Sequence, residues 1–86
     1  MGYHLTKIPR GKYGEVSKIE EELNELKDAA QQGNRIMELI ELSDLIGAVK
    51  GYMQAYHPEY TINDLVIMAD ATERAFRDGT RQESGG

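Results

Sequence analysis

Cysteine is absent from the chain, so no disulfide staples the fold and no thiolate is offered to a metal. The two histidines, His4 and His57, lie far apart and show no zinc spacing. Any metal would therefore be held mainly by oxygen, which favours Mg²⁺, Mn²⁺ or Ca²⁺. No apolar run approaches the length of a membrane span, and no signal-peptide pattern opens the chain. The expectation is a soluble cytoplasmic protein with no membrane partner. Positive charge is in deficit too. Ten Lys and Arg face fifteen Asp and Glu, a net charge of -5, which argues against a general nucleic-acid binder. The bases are grouped: Lys7, Arg10 and Lys12 in an N-terminal segment without acids, and Arg74, Arg77 and Arg81 near the C-terminus.

At 86 residues one domain is the limit and the core must be small, so pairing with a copy is a common way to complete it. Residues 1–14 carry Gly2, Pro9, Gly11 and Gly14, which break any helical pattern and read as a loop or arm. A first helix is expected from about Glu15 to Gln32, with Val16, Ile19, Leu23, Leu26 and Ala30 as its apolar stripe. Gly33 and Asn34 supply the stop. A second helix should run from near Asn34 to about Tyr56, where His57-Pro58 ends it. Its apolar residues, from Ile36 to Met53, surround most of the helical circumference, as in a helix buried on more than one side. Thr61 and Asp64 form a capping-box pattern for a third helix bearing Ile62, Leu65, Val66, Ala69 and Phe76, with Gly79 as its C-cap. The fold class is thus all-α: an antiparallel helical hairpin plus a third helix, completing a four-helix-type bundle by oligomerisation. The helical domain spans residues 15–79, and residues 80–86 read as a mobile tail.

Glu22 and Glu25 lie 11 and 8 residues before Gly33, and Glu41 and Asp44 lie 8 and 11 residues after it. With Gly33 in the turn of a hairpin, the two pairs come level, roughly 12 to 16 Å from the turn. Residues three apart share a helical face, so each pair can reach one ion. Like charges this close raise each other's pKa unless a cation offsets them. A divalent ion between the helices resolves the conflict and leaves positions open for water or phosphate oxygens. Glu20, Glu21 and Asp28 taken alone read as a solvated face. Glu41 and Asp44 do not, because their helix is apolar nearly all round and burying unpaired charge is costly. Rescue by Lys or Arg is the competing account.

The run Glu21-Glu22-Leu23-Asn24-Glu25, a gap of 15 residues, then Glu41-Leu42-Ser43-Asp44 resembles the EExxE…ExxD signature of the all-α nucleoside triphosphate pyrophosphohydrolases, the superfamily of the MazG proteins. The resemblance spans about Glu15 to Tyr56. It implies that Glu22, Glu25, Glu41 and Asp44 are Mg²⁺ ligands, with Mn²⁺ as a possible substitute. It implies cleavage of nucleoside triphosphates between the α- and β-phosphates, and work as a homodimer or homotetramer. Glu21 and Glu38 are the candidates to orient or deprotonate the attacking water. Arg74, Arg77 and Arg81, or Lys12 with its basic neighbours, are candidates for phosphate contacts, and Tyr52 for the base. A non-catalytic helical interaction or nucleotide-binding module with an acidic metal site is the alternative.

Overall fold

The structure is a computed structural model and describes residues 7–78. Three helices follow one another, α1 (Val16–Gln32), α2 (Arg35–Tyr56) and α3 (Ile62–Asp78), with no strand among the described residues. The expected C-cap at Gly79, Arg81, His4 and the tail at 80–86 lie outside the described residues.

The α1–α2 turn takes two residues because each does two jobs. Gly33 adopts the left-handed conformation (φ 69°), which costs a side chain dearly and glycine nothing. Its N–H donates to the Ala30 carbonyl at 3.1 Å, and the Asn34 N–H donates to that of Ala29 at 3.1 Å. This pair of bonds satisfies the last carbonyls of α1. The Asn34 side chain then accepts the Met37 N–H at 3.0 Å and caps α2. The reversal is tight, and α1 and α2 pack as an antiparallel hairpin. At the far end, His57 closes α2, its N–H bonded to the Met53 carbonyl at 2.7 Å. Thr61 and Asp64 exchange capping bonds at 3.2 and 2.8 Å, as their spacing predicts. From there α3 packs on α2 and not on α1.

The α1 stripe expected to face inward does so only in part, with Ile19 and Leu26 half-buried and Ala30 exposed. Val16 and Leu23 are exposed, whereas Glu21, Glu22, Asp28 and Ala29 are buried on the side turned to α2 and the N-terminal arm. The expectation of a solvated face is therefore corrected for Glu21 and Asp28, and holds for exposed Glu20. The facing side of α2 offers Glu41, Ala48 and Gly51, all buried. Small residues bring the helices close, and the acids fill the seam that leucines normally fill. Among the described residues only Ala29, Ala48 and Met53 are buried apolar side chains, while Ile36 is 73% and Leu39 68% exposed. Such a core is far smaller than a stable domain of this size normally holds. No helix among the described residues is long and apolar enough to cross a membrane.

Candidate metal centre

Two acidic triads meet in the hairpin seam and share Glu22. One is Glu21, Glu22 and Glu25 on α1; the other joins Glu22 to Glu41 and Asp44 on α2. In each triad, one oxygen per residue lies within 4.8 Å of the others. The mirrored spacing about Gly33 thus brings four acids together across the hairpin, as the sequence predicts. Glu41 is 2% and Glu22 6% exposed, while Asp44 lies at the open edge.

The seam leaves two carboxylate oxygens unmet. Glu22 Oε1 and Glu41 Oε1 are buried and have no hydrogen-bond partner, and an unmet carboxylate oxygen carries a large desolvation cost. Burial raises the Glu22 carboxyl above the usual range; Lys18 offsets part of this, and the charges of Asp44 and Glu21 add to it. Glu25 is pushed up to about 8, first by burial and then by its hydrogen bonds and repulsion with Glu21, Glu22 and Glu41. At neutral pH Glu25 holds a proton and donates it to a neighbouring carboxylate, so a proton does part of a cation's work. An all-carboxylate donor set suits a hard divalent cation, and the groups that could hold one are Glu21, Glu22 and Glu25 on α1, and Glu22 with Glu41 and Asp44 across the seam.

Glu21 has a different environment. Burial pushes its carboxyl up, but the Gly11 N–H, the Lys18 ammonium and the Glu25 hydroxyl all donate to it, and the net effect is downward. The Gly11 bond is 2.9 Å and the Lys18 bond 3.0 Å. Glu21 therefore ties the arm to α1 and steadies its neighbours, which makes it a poor proton acceptor. Lys18 also reaches Glu22 at 3.2 Å, and these acids raise its own pKa, Glu21 first. Lys18 went unrecognised from the sequence, although it stands three and four residues before Glu21 and Glu22, the spacing of helical ion pairs.

The other candidates are outside both triads. Glu38 is half-buried on α2 and belongs to neither triad. Asp28, though 2% exposed, accepts from Gln32 Nε2 at 3.3 Å and also lies outside the triads. Arg74 and Arg77 are exposed on α3, which does not contact α1, and Arg77 pairs with Glu73. Lys12 is exposed and pairs weakly with Glu15 at 3.8 Å. Tyr52 stacks obliquely on Tyr56, ring centres 4.8 Å apart, and lines the apolar cleft between α2 and α3 with Leu65 and Met68.

Compared with known proteins, the chain matches no family model, no curated protein and no solved structure.

Proposed function

We propose that this chain is a Mg²⁺-dependent nucleotide pyrophosphohydrolase of the MazG-like kind, converting nucleoside triphosphates to a monophosphate and pyrophosphate. The observation that carries the reading is the pair of orphaned oxygens, Glu22 Oε1 and Glu41 Oε1, buried at the meeting point of the two halves of the EExxE…ExxD pattern. A structural salt bridge would have supplied Glu41 with a basic partner, and none of the described residues does so.

Bound Mg²⁺ would polarise phosphoryl oxygens and lower the pKa of a water. The residues of the chain do the rest. Glu22, Glu25, Glu41 and Asp44 would hold the ion; Glu21, fixed by Gly11 and Lys18, positions Glu22 and Glu25 from behind. Glu38 stands three residues before Glu41 and shares its helical side, which suits it to take the proton of the attacking water. Pairing of two hairpins into a four-helix bundle accounts for the apolar residues that a single copy leaves exposed, Ile36, Leu39, Ile40 and Ile46 among them.

The test is pyrophosphate release over a panel of ribo- and deoxyribonucleoside triphosphates with Mg²⁺. Orthophosphate is followed in parallel, and EDTA and Glu41→Gln serve as controls. Pyrophosphate lost in both controls is expected. Absence of turnover on every nucleotide would overturn the enzyme and leave a helical interaction module, the reading that the exposed apolar faces favour on their own.

A further inference from the structure

A polar recess of about 580 Å³ opens beside the acids, in the size range of small-molecule sites. Glu22, Asp44, Lys18, Lys50 and Gln54 line it together with Tyr13 of the arm. We infer that this recess is the nucleotide subsite: Lys50, with Gln54, receives the polyphosphate, and Tyr13 is the platform on which the base stacks. The ligand identity rests on the pyrophosphohydrolase reading; the placement rests on the recess itself.

Three features converge. First, Glu22, which carries a buried oxygen without a partner, and Asp44 both line the recess, so a cation held by Glu22, Glu41 and Asp44 would adjoin the space that the two lysines line. Second, the lysines differ. Lys18 is committed to Glu21 and Glu22, whereas Lys50 is exposed and makes no ion pair among the described residues. An ammonium without a carboxylate, beside a group of acids in a chain of net charge -5, is suited to an anion that arrives with its own cation. Third, Tyr13 is fixed on one side and open on the other. A Cβ on Gly51 would meet the Tyr13 ring at 2.6 Å, so the ring lies directly on the α2 backbone. The arm below it is held by the Gly11 bond to Glu21 and by the Lys12 N–H to Ser17 Oγ at 3.0 Å. Yet Tyr13 remains 63% exposed. A pre-positioned ring with a wet face costs little to order on stacking. Gly51 is about 10 Å along α2 from Asp44 by helical rise, a span on the scale of a nucleoside polyphosphate rather than of a single phosphate. The Arg74, Arg77 and Tyr52 expected to do these jobs lie on α3 or in its cleft.

The test is equilibrium binding by calorimetry on the full chain with Mg²⁺, using two probes: inorganic tripolyphosphate and α,β-imido ribonucleoside triphosphates, which the proposed chemistry cannot cleave. Lys50→Met should weaken both probes about tenfold, the loss typical of a charge-assisted hydrogen bond. Tyr13→Ala should leave tripolyphosphate unchanged and weaken the nucleotides about tenfold, the scale of one lost stacking contact. Gly51→Ala, which pushes the ring aside, should copy Tyr13→Ala, while thermal melts check that each variant folds. Failure of the wild type to bind tripolyphosphate, or wild-type affinity in Lys50→Met, overturns the recess. Turnover with unchanged KM in Lys50→Met and Tyr13→Ala would keep the enzyme and remove the subsite. Tight binding of both probes without any pyrophosphate release from natural nucleotides would do the reverse.

Discussion

The two seams of the molecule are built on opposite principles. Between α1 and α2 the buried residues are Glu21, Glu22, Asp28 and Glu41, with Ala29, Ala48 and Gly51 leaving room for them. Between α2 and α3 the cleft is lined by Val49, Tyr52, Met53, Leu65 and Met68. An apolar seam stabilises whatever the solvent contains, because it needs only the removal of hydrocarbon from water. An acidic seam is stable only under conditions that neutralise it. The hairpin is thus where ions and protons are expected to act most on stability, and the mainly apolar α2–α3 junction where they are expected to act least.

The sharpest way to break this contrast is at Glu41. Replacing it with Gln removes a charge that has no basic partner among the described residues while keeping the shape. Turnover and Mg²⁺ affinity should fall by at least about 100-fold, since even an outer partner of a metal ligand costs roughly 10–100-fold. In EDTA the same variant should melt at the same or a higher temperature than wild type, because the repulsion is relieved. Marked destabilisation in EDTA would show that Glu41 is a structural partner instead. Met53→Ala is the opposite experiment. It should cost about 2–3 kcal/mol by denaturant unfolding, through lost burial and the space left behind, yet leave Mg²⁺ affinity as it was. A change in both quantities would mean that the two seams are one cooperative unit.

Protons should act on the same divide. Glu25 has an ordinary value of 4.5 and a folded value of about 8, so the fold prefers its protonated form. The stability tied to that proton is fully present below pH 4.5 and is lost as pH rises through about 8. In EDTA, the melting temperature should decline across this window. If Mg²⁺ binds in place of the proton, the gap between melts with and without Mg²⁺ should widen with pH, and binding near neutrality should release protons. Glu25→Gln should flatten the decline in EDTA, and a pH response unchanged by that variant would assign the effect elsewhere.

Smaller effects belong to the ends of helices, where the sequence was easiest to read. Gly33, Asn34, Thr61 and Asp64 each act within about one helical turn, so their spacing alone carries the signal. Thr61→Ala should cost about 1 kcal/mol, the usual loss for a cap, with no effect on ion binding; a loss of ion affinity would tie α3 to the hairpin. The four acids were legible for a related reason: two i,i+3 pairs mirrored about a turn leave little freedom in where they meet. What spacing does not encode is the rotation of α1 about its own axis. Val16 and Leu23 make a stripe that a single chain would bury, and the structure buries Glu21, Glu22 and Asp28 instead. Which stripe turns inward depends on what covers the other, and that is a property of neighbours rather than of the helix. The arm was equally opaque, because the Gly11–Glu21 bond spans ten residues and leaves no local pattern.

The smallest expected effect is at Arg77. Its pairing with Glu73 lies on an exposed face of α3, with the two side chains 69% and 59% exposed. Exposed pairs of this kind contribute about 0–1 kcal/mol, so Arg77→Gln should move the melting temperature little. If each site is completed by its own hairpin, with Lys18 and Lys50 as its cations, the variant should also keep the wild-type KM. A rise in KM of about tenfold, the loss expected for one charge-assisted phosphate contact, would carry a specific meaning, because α3 of the same copy does not touch α1. The arginine would have to come from a neighbouring copy. A near-silent substitution therefore tests whether the acidic seam works alone or is completed across a subunit boundary.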